Sequence, residues 1–127
     1  MQTQDEKVVT GTIIQRPAIY KVERYTRTKG LNAARLFREK ALPYYKKMPG
    51  IKSVRAFQTR FGFGSASHDL EIWLELENMA CLDAWEEYVI SNQEEILTFE
   101  AEWDQTFENR GSRLMGDWPD FRWISSE

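Results

Sequence analysis

The chain has 127 residues, with 17 basic and 20 acidic side chains, a formal net charge of −3 and 42% hydrophobic residues. This is a globular composition of single-domain size rather than a disordered one. It offers no basic block to track a phosphate backbone, so nucleic acid is not an expected partner, and no apolar run near the roughly 20 residues of a membrane span.

The lone cysteine, Cys81, excludes an internal disulfide framework. The polar segment Met1 to Lys7 lacks the basic-then-apolar pattern of a secretory signal, so a cytoplasmic location is expected. Residues 1–17 read as a tail or arm. Within them Val8 to Ile14 is β-rich and reads as an extra strand or as an arm packing on a partner chain.

Ala18 to Thr26 reads as a first strand, with Tyr20, Val22 and Arg24 on one face and Ile19, Lys21, Glu23 and Tyr25 on the other. A turn at Thr28-Lys29-Gly30 leads to a helix over Leu31 to Met48, where Ala33, Phe37, Ala41 and Tyr44/Tyr45 recur at helical spacing. Pro43 lies inside it. Proline lacks an N–H and clashes with the carbonyl four residues back, so a kink is expected. Met48-Pro49-Gly50 stops the helix.

Ile51 to Phe63 holds a second strand, and Gly62, Gly64, Ser65 and Ser67 mark a turn into a third. That third strand, His68 to Glu77, alternates strictly: Leu70, Ile72, Leu74 and Leu76 against Glu71, Trp73 and Glu75. Such alternation means one apolar and one polar face. Asn78 reads as the N-cap of a helix carrying Met79, Leu82, Trp85 and Val89. The pattern resets at Asn92, where Asn92-Gln93-Glu94-Glu95 resembles a capping box, and Ile96, Phe99, Trp103 and Phe107 continue the helical spacing. Asn109-Arg110-Gly111 ends the helix, and Ser112 to Gly116 reads as a short last strand. The tail beyond residue 118 is aromatic, so it is expected to dock on the body or on a neighbouring chain.

The order strand, helix, strand, strand, helix, strand spans residues 18–118 as one domain. Four stretches carry a resemblance: Tyr20 to Tyr25 running to Lys29-Gly30, Leu42 to Ile51, Leu70 to Leu76 with the helix after it, and Arg113 to Trp118. Together they look like the dimeric α/β-barrel superfamily, which includes cofactor-free monooxygenases, haem-degrading enzymes, polyketide cyclases and small isomerases. The resemblance implies an α+β, ferredoxin-like βαββαβ sandwich, an antiparallel sheet with helices on one face. It also implies a homodimer formed sheet to sheet. Fold alone does not choose among these activities.

In such an arrangement Leu70, Ile72, Leu74 and Leu76 face the helices. Glu71, Trp73 and Glu75, with Arg55, face a partner sheet in a salt-bridged layer answered by Arg55, Lys21 and Arg113; in a monomer the same face is simply solvated. His68, the only histidine, is similar in strand and face to the base of polyketide cyclases, or is an exposed turn residue. Trp73 is similar in position to a tryptophan of haem-degrading members. The first strand has no Asn and the helix after the third strand no His, so haem is disfavoured and no cofactor or metal is expected.

Glu71 and Glu75 stand about 13 Å apart along the backbone, too far for a glycosidase-type pair. Cys81 reads as a buried small residue. Tyr20, Phe37, Tyr44, Tyr45, Trp85 and Tyr88 are candidates for the wall of a cavity suited to an aromatic or polyketide-like molecule, with Arg24 placed to stabilise an oxyanion beside His68. The expected function is small-molecule binding, with or without cofactor-independent catalysis. The alternative is a non-catalytic dimerisation or partner-binding domain.

Overall fold

The computed structural model describes residues 9–15, 18–27, 33–59 and 69–126. It is an α+β fold with two antiparallel sheets. The larger has four strands, β2 (Ile19–Arg27), β3 (Ile51–Gln58), β4 (Asp69–Leu76) and β5 (Phe107–Gly116), in the spatial order β3-β4-β2-β5. The smaller pairs β1 (Gly11–Ile14) with β6 (Arg122–Ser125). Among the described residues, no helix is long and apolar enough to cross a membrane.

The first helical region runs from Ala33–Leu36 through a π-helical segment, Phe37–Ala41, into Leu42–Lys46. Pro43 explains the wide middle turn. In a regular helix its ring would press on the carbonyl of Glu39 and its missing N–H would leave a gap. The chain instead widens ahead of it, with the Leu42 N–H donating to the Phe37 carbonyl. The expected kink thus takes the form of a π-bulge.

The second helix, Cys81–Ser91, and the third, Gln93–Trp103, break at Asn92. The capping chemistry differs from expectation. Ala80 is the N-cap of the second helix. The Asn78 side chain instead accepts a weak hydrogen bond from the Cys81 thiol. Asn92 donates to the Tyr88 carbonyl, and Glu95 meets Lys47 at 2.6 Å, tying the third helix to the end of the first. A partner from another element outcompeted the local box.

The core lies between the helices and one sheet face. Ala41, Tyr45, Trp85 and Trp103 from the helices pack with Tyr25, Ile72, Leu74 and Phe107 from the strands. The alternation of β4 is realised as read: Ile72, Leu74 and Leu76 are buried there.

The last strand is longer than expected. Phe107 continues the helical spacing of Phe99 and Trp103, yet the chain leaves the helix after Trp103 and Phe107 begins β5. Both residues still reach one core, their rings stacked at 4.1 Å. Asn109-Arg110-Gly111 does not end a helix; it forms a bulge against Arg24/Tyr25. Gly111 adopts φ +104°, a region that favours glycine, and its N–H donates to the Asn109 side chain at 2.6 Å.

Gly50 also has a positive φ, +77°, and a Cβ there would collide with the Cys81 sulfur. Gly50→Ala is therefore expected to cost about 1–3 kcal/mol. Cys81→Ala in the same background should recover part of that loss, as urea unfolding of both variants would show.

The amino-terminal arm and the aromatic tail, read separately in sequence, pair with each other. Gly11 lies opposite Ser125 and Ile14 opposite Arg122. The Asp117 carboxylate accepts from the Ala18 N–H at 2.7 Å, clamping the root of this ribbon to the main sheet.

Candidate functional site

Directly opposed residues of an antiparallel pair project to the same side. The β2–β4 register sets Lys21 opposite Leu74, Glu23 opposite Ile72 and Tyr25 opposite Leu70. Lys21, Glu23 and Tyr25 therefore lie under the helices. Tyr20, Val22 and Arg24, opposite Glu75, Trp73 and Glu71, lie on the other face. This corrects the expectation that Tyr20 and Arg24 flank a cavity on the helix side.

Arg24 sits 3.6 Å from Glu71, and the Tyr20 ring packs on Trp73 at 5.3 Å. Neither is near a position to stabilise an oxyanion in the interior. His68 lies outside the described residues.

The consequence is a buried acid. Glu23 is only 9% exposed. Burial of an unpaired carboxylate is costly, so its surroundings must answer it. They do: Tyr25 Oη donates to Oε1 at 3.0 Å, Tyr45 Oη to the same oxygen at 2.5 Å, and Lys21 Nζ to Oε2 at 2.7 Å. Lys21 in turn lies 4.1 Å from the centre of the Trp85 ring, a cation–π contact.

Burial, reinforced by the negative Glu23, pushes the Tyr25 and Tyr45 phenols well above their ordinary range. Both stay protonated as donors at any physiological pH. Tyr44 is raised as well, first by burial.

This cluster opens onto a cavity of about 380 Å³ between sheet and helices. Its walls include Tyr44, Trp85, Phe99 and Trp103, with Glu100, Asp104 and Asn109 also contributing. Tyr44 stacks on Phe99 at 4.7 Å, and Phe99 on Trp103 at 5.7 Å. Trp85 Nε1 donates to Tyr44 Oη at 3.4 Å. The indole N–H of Trp103, buried at 3% exposure, has no partner among the described residues.

Of the six residues expected to line one cavity, Tyr44, Tyr45 and Trp85 do so together. Phe37 lines a different cavity, of about 400 Å³, with Arg27, Arg38, Leu70 and Phe107. Tyr88 packs at the core's edge with its hydroxyl directed to Glu95. Sequence reasoning missed Glu23, Tyr25, Lys21 and Trp103. The only signal was that Lys21, Glu23 and Tyr25 share a strand face; nothing local says which way that face points.

The open face of the main sheet carries Glu71, Trp73, Glu75 and Arg55. Glu71 accepts from Trp73 Nε1 at 3.0 Å and meets Arg113 at 3.4 Å; Glu75 is 3.6 Å from Lys52 and accepts from Ser53. Arg55 lies over the Phe57 ring. The cations answering this face are thus Arg24, Arg113 and Lys52. Lys21 serves the opposite side.

No protein-family model matches the chain, and no curated protein matches it. Among solved structures it is similar to PA3566 from Pseudomonas aeruginosa, at 16% identity over 81% of this chain and 94% of that one, with a TM-score of 0.48.

Proposed function

We propose that this protein is a small-molecule-binding domain of ferredoxin-like βαββαβ topology, paired with a second copy through the open face of its main sheet. The ligand we assign to the Glu23 cavity is a planar molecule of the aromatic or polyketide-like kind. One observation carries the reading: a buried carboxylate held by two tyrosine hydroxyls and a lysine at an aromatic-walled cavity. Convergent hydrogen-bonding groups in a concave site are what fix the orientation of a small ligand.

Holding rather than turnover is the role this geometry favours. Glu23 is already engaged by three donors, and Arg24 is on the other side of the sheet. The strand order β3-β4-β2-β5, with helices against one face, supports the topology. Pairing is supported by the open face itself. It mixes both charge signs with the exposed Phe57 and Met115, so a two-fold partner would present a complementary surface.

The test has two arms. 2-Naphthol should quench the tryptophan fluorescence saturably, and Val89→Phe, which fills the cavity, should abolish saturation; unsaturable quenching of the unmodified protein sinks the ligand reading. Light scattering should return twice the 15.0 kDa chain mass, falling to one chain in Phe57→Glu. A single-chain mass for the unmodified protein at tens of micromolar sinks the pairing.

A further inference from the structure

The Glu23 cavity is not neutral. The charged groups on its wall, among the described residues, are three carboxylates, Glu23, Glu100 and Asp104, and one cation, Lys21. Lys21 is spent on Glu23 at 2.7 Å. That leaves Glu100 and Asp104 facing the opening, where both are exposed.

These two stand four residues apart at the end of the third helix, with the Asp104 N–H donating to the Glu100 carbonyl at 2.8 Å. They therefore share one side of the helix. A helix of eleven residues also presents its partial negative charge at this end. Charge and dipole both favour a cation there and oppose an anion.

The Trp85 ring adds to the same preference. Ring faces carry negative quadrupole density and attract ammonium groups. The site already shows this with its own side chain: the Lys21 ammonium rests on the Trp85 ring face while paired to Glu23. The influence of the two outer carboxylates extends inward, since Asp104 contributes to raising the Tyr25 phenol and Glu100 to raising that of Tyr44, after burial and Glu23.

We infer that the ligand of this cavity is an organic cation, a protonated or quaternary amine on a planar apolar body, seated between the Glu100–Asp104 pair and the aromatic wall. The inference rests on the reading of this cavity as a ligand site and narrows its chemistry.

The test compares three probes on the full chain by calorimetry: benzyltrimethylammonium, its uncharged carbon isostere neopentylbenzene, and phenylacetate. The cation should bind about tenfold or more tightly than the isostere, and phenylacetate most weakly. In the double variant Glu100→Gln/Asp104→Asn the cation's advantage should shrink to about threefold or less, with affinity for neopentylbenzene unchanged. The melting temperature checks that these exposed substitutions leave the fold intact.

Neopentylbenzene or phenylacetate binding as well as the cation overturns the inference while leaving the ligand site standing. So does a preference that survives the double variant. Failure of all three probes to bind overturns both readings.

Discussion

Glu23→Ala is expected to destabilise the protein by about 3 kcal/mol or more, measured by urea unfolding. The substitution removes the single acceptor group that answers two tyrosine hydroxyls and an ammonium. Tyr45 is almost wholly buried and Tyr25 nearly so, so neither hydroxyl can exchange its lost partner for bulk water. Lys21 keeps a quarter of its side chain exposed and can recover some hydration, which moderates its share.

Glu23→Gln should cost less, about 1–2 kcal/mol. Its carbonyl can still accept from both tyrosines, but the charge opposite Lys21 is gone. The decisive comparison is Glu23→Leu made in a Tyr25→Phe/Tyr45→Phe background. With the donors removed, the loss should be markedly smaller than for Glu23→Leu alone, because the cost lies in orphaned groups rather than in the carboxylate itself. A Glu23→Ala variant within about 0.5 kcal/mol of the unmodified protein would refute the network as a determinant of stability.

The second large effect is expected at Phe107, where Phe107→Ala should cost about 3–5 kcal/mol. The residue is 1% exposed and stacks on Trp103, with Tyr25 packed edge-on at 6.0 Å. It lines the Phe37 cavity on one side, and its neighbours Trp103 and Tyr25 line the Glu23 cavity on the other. Truncation therefore enlarges the Phe37 cavity and unpacks Trp103 and Tyr25, and the surroundings have little with which to collapse into the gap. Phe107→Leu, which restores much of the volume, should cost less than half as much. Urea midpoints for the two variants check this, and a Phe107→Ala loss below about 1 kcal/mol would show that the ring is not a packing element. Against a typical total stability of about 5–15 kcal/mol, either alanine variant leaves a marginal protein.

The local consequences of Pro43 and of the break at Asn92 were legible without coordinates, because each depends on one residue's covalent chemistry or on an interruption of helical spacing. The buried direction of β4 was equally legible. Its faces differ so strongly, leucines and isoleucine against glutamates and tryptophan, that only one orientation buries apolar surface.

β2 has no such asymmetry. Tyr20, Val22 and Arg24 on one side and Lys21, Glu23 and Tyr25 on the other are similar mixtures of apolar and charged groups. Its orientation is decided by pairing with β4, which sets Ile19, Lys21, Glu23 and Tyr25 toward the helices. An inward glutamate becomes tolerable because Lys21 and Tyr25 donate to it from its own strand and Tyr45, from a helix 22 residues further along the chain, adds a third donor. The same holds for Phe107, whose spacing suits a helix and whose strand state is set by the sheet edge on β2. Where one strand or one residue held a decisive imbalance, the sequence by itself determined the outcome. Where two faces were nearly equivalent, long-range pairing and hydrogen-bond satisfaction chose between them, and that choice placed the candidate site around Glu23.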